Sequence, residues 1–310
     1  MIIGKTLFPM LLAGSLLTGC ASTPSTGGGD EFGVFYEGES EATYATAFPV
    51  KTPEEAYRNG DSAAQTGDYD RALYEYIRGL RLEDEPPTEV LYKIGSIHQA
   101  RDNVRLASLA YRWVLEINPD HVEAGTGLGI LYLDARQYEA AKAQLEKVLT
   151  SPEPIPWRAY NALGILADMD DQAGQAVEYY LQAQAANPSS PQVLNNLGYS
   201  RYLAGDWAGA RRFLQQALKI DPGYELAWRN LGLVHAREKN YRSALEALSR
   251  TGEESEAYND VGYVSMMAGE YDQALAFFNK AMHLSPAYYV TASENARNVE
   301  RMMRRNAAVQ

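Results

Sequence analysis

The amino-acid sequence predicts an all-α chain: a superhelical stack of helix–turn–helix units closed by a C-terminal capping helix. Three observations carry this reading. Glycines recur at Gly60, Gly95, Gly129, Gly164, Gly198, Gly232 and Gly262, at spacings of 35, 34, 35, 34, 34 and 30 residues. Twelve residues beyond each stands an alanine: Ala72, Ala107, Ala141, Ala176, Ala210, Ala244 and Ala274. Prolines at Pro119, Pro188, Pro222 and Pro286 close several of the units. A period of this size marks an array in which no unit buries its apolar face alone and stacking on neighbours completes the core.

Ahead of the array, residues 1–19 carry one cation, Lys5, and an apolar run from Leu7 to Leu17. The run is too short to span a bilayer and ends in small residues, so it reads as a cleaved secretory signal. The chain's one cysteine, Cys20, stands directly behind it. The ending Leu17-Thr18-Gly19-Cys20 resembles a bacterial lipobox. That resemblance implies a diacylglycerol on the Cys20 sulfur, cleavage before Cys20 and acylation of the new amino group. A secreted protein with an incidental cysteine is the alternative. A single acyl chain binds membranes marginally, at about 0.8 kcal/mol per buried CH₂, whereas several chains anchor stably. Residues 20–52, rich in Ser, Thr and Gly, read as a linker. A flexible chain of about 32 residues has an r.m.s. span of roughly 30 Å. The aromatics Phe32, Phe35, Tyr36, Tyr44 and Phe48 leave open whether part of this segment docks on the first unit.

Residues 53–288 divide into seven units, roughly 53–87, 88–121, 122–156, 157–190, 191–224, 225–254 and 255–288. Each is expected to hold two antiparallel helices of about fourteen residues, roughly 21 Å long at 1.5 Å per residue. They cross closely only where facing positions are small, so Gly and Ala mark the crossings. Gly67-Asp68-Tyr69, Gly205-Asp206-Trp207 and Gly269-Glu270-Tyr271 signal the turns between paired helices. The sixth unit is four residues short and lacks its closing proline, which predicts a clipped second helix. Residues 289–310 read as the cap, with Tyr289, Ala292, Ala296, Val299 and Met303 on one face. The Gly–Ala phasing, the closing prolines and the large residues four before the glycine (Leu91, Tyr160, Leu194, Trp228, Tyr258) resemble the tetratricopeptide repeat. The resemblance implies a right-handed superhelix whose concave face is lined by the first helix of each unit.

Composition narrows the function. The net charge is −12, and residues 30–89 hold fifteen acidic against five basic side chains. An acidic surface argues against nucleic acid, whose backbone requires a basic one. It argues equally against an electrostatic hold on anionic lipid. With one cysteine, no internal disulfide is possible. No catalytic constellation stands out. His98 and His235 share one unit position and read as structural, while His121 and His283 stand alone. Gly4-Lys5-Thr6 lies in the signal, and Gly27-Gly28-Gly29 lacks the Lys-Ser/Thr of a phosphate loop. Asp170-Asp171 falls in a turn. The expectation is a binding protein, not an enzyme, with no cofactor and no metal.

Within the family resembled, ligand-facing positions include the third before the glycine and the first and fourth after it. The third-before position holds Asn161, Asn195, Arg229 and Asn259 in units four to seven. The other two supply Ile165, Tyr199, Tyr202, Leu233, Tyr263 and Met266. Asparagine both donates and accepts, so a ladder of them suits the backbone of an extended peptide, with Tyr and Met offering adaptable apolar contact. Units one to three carry Tyr57, Tyr92 and Thr126 instead, which places the expected peptide groove in the C-terminal half. Ala21 and Ser22, rather than an aspartate, follow Cys20; in the bacterial sorting scheme that implies delivery to the outer membrane, facing the periplasm. With NNLGYSRYLAGDWAGAR, the clipped sixth unit and the ending YNDVGY…LSPAYY, the chain looks most like the tight-adherence (Flp) pilus assembly lipoprotein family. The shorter pilotin of type IV pili, which brings the secretin ring to the outer membrane, combines the same parts. The implied partner is a secretin or another pilus-assembly protein. An adaptor organising envelope-polymer synthesis is the alternative.

Overall fold

The computed structural model describes residues 31–36, 50–287 and 289–309. Cys20, the signal and most of the linker lie outside the described residues. After a single 3₁₀ turn, Gly33–Phe35, the described residues form fifteen α-helices and no strand. Seven antiparallel pairs follow in order: α1 (Pro53–Gln65) with α2 (Tyr69–Leu80), α3 (Thr88–Ala100) with α4 (Val104–Ile117), and α5 (Val122–Asp134) with α6 (Tyr138–Leu149). The next are α7 (Trp157–Met169) with α8 (Ala173–Ala186) and α9 (Pro191–Leu203) with α10 (Trp207–Ile220). Then come α11 (Glu225–Arg237) with α12 (Tyr241–Leu248), α13 (Glu254–Met267) with α14 (Tyr271–Leu284), and finally α15 (Val290–Val309).

Local chemistry sets the helix ends. Thr52 and Ser190 cap α1 and α9, each accepting a backbone N–H three residues on, and each is followed by a proline whose missing N–H has no partner to lose there. Asp68, Asn103 and Asp206 cap α2, α4 and α10 in the same way. The turn inside every pair needs one left-handed residue, always seven beyond the phased glycine. Three units use Gly67, Gly205 and Gly269; the others force Asp102, Arg136, Asp171 and Lys239 to φ values of 57 to 62°. Glycine adopts this conformation freely and the other four residues do not.

The phased glycines are the crossing points. A Cβ on Gly60, Gly95, Gly129, Gly164, Gly198, Gly232 or Gly262 would fall 2.5–2.8 Å from a large side chain of the partner helix. Those side chains are Tyr76, Tyr111, Leu145, Tyr180, Leu214, Leu248 and Phe278, each sixteen residues further along the chain. The tyrosines among them are buried, with their hydroxyls satisfied: Tyr76 donates to Asp61 Oδ1 at 2.7 Å, Tyr111 to Gln99 Oε1 at 2.8 Å and Tyr180 to Asp168 Oδ2 at 3.0 Å. Burial is the main reason the Tyr111 phenol is pushed up to about 12.

Stacking gives the array its two sides. The first helices of successive units touch one another, α3 on α5, α5 on α7, α7 on α9, α9 on α11, and α11 on α13, while consecutive second helices do not approach as closely. The first helices therefore run along the inner, concave surface and the second helices splay outside. Buried apolar residues form a chain of clusters shared between neighbouring units rather than one central core. In the sixth unit α12 is eight residues long where the other second helices have 12 to 14. Helix α13 packs against both α11 and α12, as α7 does against α5 and α6. Helix α15 closes the stack on α13 and α14, burying Ala292, Ala296 and Val299.

Candidate peptide groove

The structure separates the candidate groove residues into two sets. Asn161, Asn195 and Asn259 are 4 to 8% exposed and join successive units. Asn196 Nδ2 donates to Asn161 Oδ1 at 2.9 Å, Asn230 Nδ2 to Asn195 Oδ1 at 2.9 Å, and Asn295 Nδ2 to Asn259 Oδ1 at 3.1 Å. Arg229 takes the same place in unit six, its guanidinium 3.5 Å from Asp260. In units four to seven the residue three before the glycine is thus clasped by one from the following unit or the cap. These asparagines take part in the joint between units, their amide oxygens engaged there, because the third-before position lies on the edge of the helix that meets the next first helix.

The second set faces outward from the inner surface. Tyr199 and Tyr263 are exposed, Ile165, Tyr202 and Leu233 half-buried, and Met266 is buried beneath them. Four residues after Ile165, Tyr199 and Tyr263, on the same helical face, stand Met169, Leu203 and Met267, exposed at 50, 50 and 61%. In unit six Arg237 takes that place behind Leu233. The result is a row of four i,i+4 pairs, one on each of α7, α9, α11 and α13. Tyr199 stacks on Tyr202 with ring centroids 6.1 Å apart. Burial raises the Tyr202 phenol pKa, while the neighbouring Arg237 guanidinium opposes that shift. Sequence reasoning missed Met169, Leu203 and Met267, although their regular spacing five residues after the glycine was there to read.

Beneath the row, charge is buried sparingly. Asp168 is half-buried and accepts from Ser200 Oγ at 2.8 Å and from Tyr180. Burial raises its carboxyl above the ordinary range, and the two hydroxyl donors only partly offset that. His235 lies 3.5 Å from Glu238, and in unit two, away from the row, His98 is buried with Nε2 2.9 Å from the Phe35 carbonyl oxygen. Among the described residues no group of three His, Cys, Asp or Glu side chains could hold a metal ion, and no helix is long and apolar enough to cross a membrane.

A tetratricopeptide-repeat family model matches residues 126–191 and 170–225, and a second matches 201–258. Residues 126–258 are tetratricopeptide repeats. The flanking pairs carry the same crossing glycine and the same left-handed turn, so the array as a whole has the tetratricopeptide fold. A TPR repeat-containing protein of Pseudomonas aeruginosa is 42% identical over 201 residues, covering 54% of this chain and 34% of that protein. The chain spans about a third or less of the length of the leading curated relatives. Among solved structures, the anaphase-promoting-complex hetero-tetramer Cut9–Hcn1 aligns over 83% of this chain and 51% of its own, with a TM-score of 0.57 and 16% identity. The structure of Pseudomonas aeruginosa pilF aligns over 67% of this chain and 95% of its own, with a TM-score of 0.52 and 18% identity. These likenesses establish the fold. Tetratricopeptide arrays are in general non-enzymatic modules for protein–protein contact.

Proposed function

We propose that this protein is a lipid-anchored, non-enzymatic scaffold on the periplasmic face of the outer membrane. It holds an extended segment of a protein partner in the groove of units four to seven. The observation that carries the binding reading is the row Ile165/Met169, Tyr199/Leu203, Leu233/Arg237 and Tyr263/Met267, in which Met169, Tyr199, Leu203, Tyr263 and Met267 are exposed. Met169, Leu203 and Met267 recur at one position of three units, each at least half exposed, which sets them apart from singly scattered surface apolar residues. Their regular repeat, one pair per unit, suits an extended chain. The joint asparagines link successive units beside the row.

The anchor and the pathway are supported by the sequence: the lipobox-like ending at Cys20, the residues after it, and the likeness to the tight-adherence pilus assembly lipoproteins. The fold-level likeness to pilF agrees with that direction. The partner on this reading is a secretin or another pilus-assembly protein. Leu203→Asp with Met267→Asp tests it, because both side chains are exposed and neither supports the core. Leu203 and Met267 are already about half covered, so burying the rest against a ligand is worth about 0.8–1.5 kcal/mol each. Their loss should weaken binding at least tenfold, at about 1.4 kcal/mol per decade. A strain carrying the double variant should localise the lipoprotein normally yet assemble less secretin or fewer pili. Normal assembly in a deletion strain would overturn the pilus reading and turn the search to envelope-polymer synthesis.

A further inference from the structure

The tether folds back onto the array. Phe32 and Phe35 are 7 and 0% exposed, whereas Val34 between them is 43% exposed. The 3₁₀ turn thus presents both rings inward and the aliphatic residue outward, and it is closed by the Phe35 N–H on Phe32 O and the Tyr36 N–H on Gly33 O, each 3.1 Å. Phe32 lies flat on Trp113, with centroids 5.1 Å apart and planes 6° from parallel. Phe35 stacks on the same indole at 5.8 Å, and its carbonyl oxygen lies 2.9 Å from His98 Nε2. Tyr36 meets Tyr74 edge-on at 6.0 Å. Tyr74 and Trp113 belong to α2 and α4, the second helices of units one and two, and His98 to α3, so the turn is held by units one and two and not by units four to seven.

We propose that residues 31–36 act as a strap, pinning the tether to units one and two and holding that end of the array close to the membrane that anchors Cys20. The proposal rests on the lipid anchor put forward above and adds an orientation to it. Phe32 lies twelve residues after Cys20, whereas Pro53 lies thirty-three after it. At about 3.5 Å per residue, the strapped tether reaches at most about 42 Å, against about 115 Å without the strap. Its r.m.s. span as a flexible chain falls from roughly 32 Å to roughly 19 Å. Units one and two therefore stay within that reach of the lipid, while the groove lies further along the stack.

Two insertions of ten Gly/Ser residues test the strap without disturbing a packed side chain. One goes between Gly29 and Asp30, ahead of the strap; the other between Val50 and Lys51, behind it. The full acylated chain is bound to phosphatidylcholine vesicles bearing headgroup acceptor dyes, with a donor on Glu116→Cys, an exposed site on α4. The insertion ahead of the strap should lower energy transfer at least twofold, and the insertion behind it should leave transfer at the native value. Equal loss from both overturns the strap and leaves the anchor standing. A native chain that does not bind the vesicles overturns the anchor, and the strap's orienting role with it.

Discussion

Gly198 offers a test of the packing logic in which the sign of the effect reverses. A Cβ there would lie 2.7 Å from Leu214 Cγ, 3.0 Å from Leu214 Cδ2 and 3.2 Å from the Ala210 carbonyl oxygen. Carbon atoms are at ease at about 3.5–4.0 Å, so Leu214 must retreat by about an ångström inside a fully buried cluster. Such overpacking costs about 1–3 kcal/mol. Against it stands the helix preference of Ala over Gly, worth about 1 kcal/mol at an interior position. Gly198→Ala alone should therefore lower stability by up to about 2 kcal/mol. Leu214→Ala alone should cost about 2–5 kcal/mol through the cavity it leaves. In the Leu214→Ala background most of the clash is gone, and Gly198→Ala should become neutral or stabilising. The coupling between the two sites should thus exceed about 1 kcal/mol, the range found for residues in contact. Urea unfolding in the Cys20→Ser background measures the four corners of this cycle. Gly174→Ala serves as the control, because no atom lies within 4 Å of the added Cβ. Additive effects at Gly198 and Leu214 would refute the crossing assignment.

Asn196→Ala should cost about 1–3 kcal/mol, since it strips the donor from the buried Asn161 Oδ1, and hydrogen exchange should quicken at the boundary of units four and five. Arg136→Gly should raise the urea midpoint slightly, because Arg136 is held at φ 59° where glycine sits without strain; a lowered midpoint would sink the turn argument. The pH profile should split by residue. Asp168 has a raised carboxyl through burial, so its contribution to folding is present at acid pH and lost as pH rises through its folded value. Asp61 is lowered, since hydrogen bonds from Lys93 and Tyr76 outweigh its burial, so its contribution holds at neutral pH and is lost on acidification. Asp168→Asn and Asp61→Asn should therefore change the slope of stability against pH in opposite senses.

The array was legible because its period is written in glycine. Seven glycines in phase with seven alanines leave one solution, paired helices crossing at the small residues. The large residues that fill those crossings, from Tyr76 to Phe278, kept an equally strict interval of sixteen and could have been read with them. The left-handed turn was visible only where glycine occupies it; Asp102, Arg136, Asp171 and Lys239 hide the same geometry behind ordinary side chains. The asparagines show what spacing alone does not carry. A helical position at the border between the groove and the next unit has one sequence signature and two possible environments. Which one it takes depends on how closely the first helices approach, a property of stacking rather than of spacing. The strap is harder still: nothing in Phe32 or Phe35 announces Trp113, about eighty residues away, as its partner.

The central claim is that the inner face of units four to seven holds a partner while the outer face does not. A photo-crosslinking residue placed at Leu203 or Met267, on the exposed row, and at Gln216, exposed on the outer helix α10, tests it in living cells. Adducts from positions 203 and 267 to one secretin or pilus-assembly protein, identified by mass spectrometry and absent at position 216, are the predicted result. Equal adducts at all three positions, or none at 203 and 267, would contradict the account.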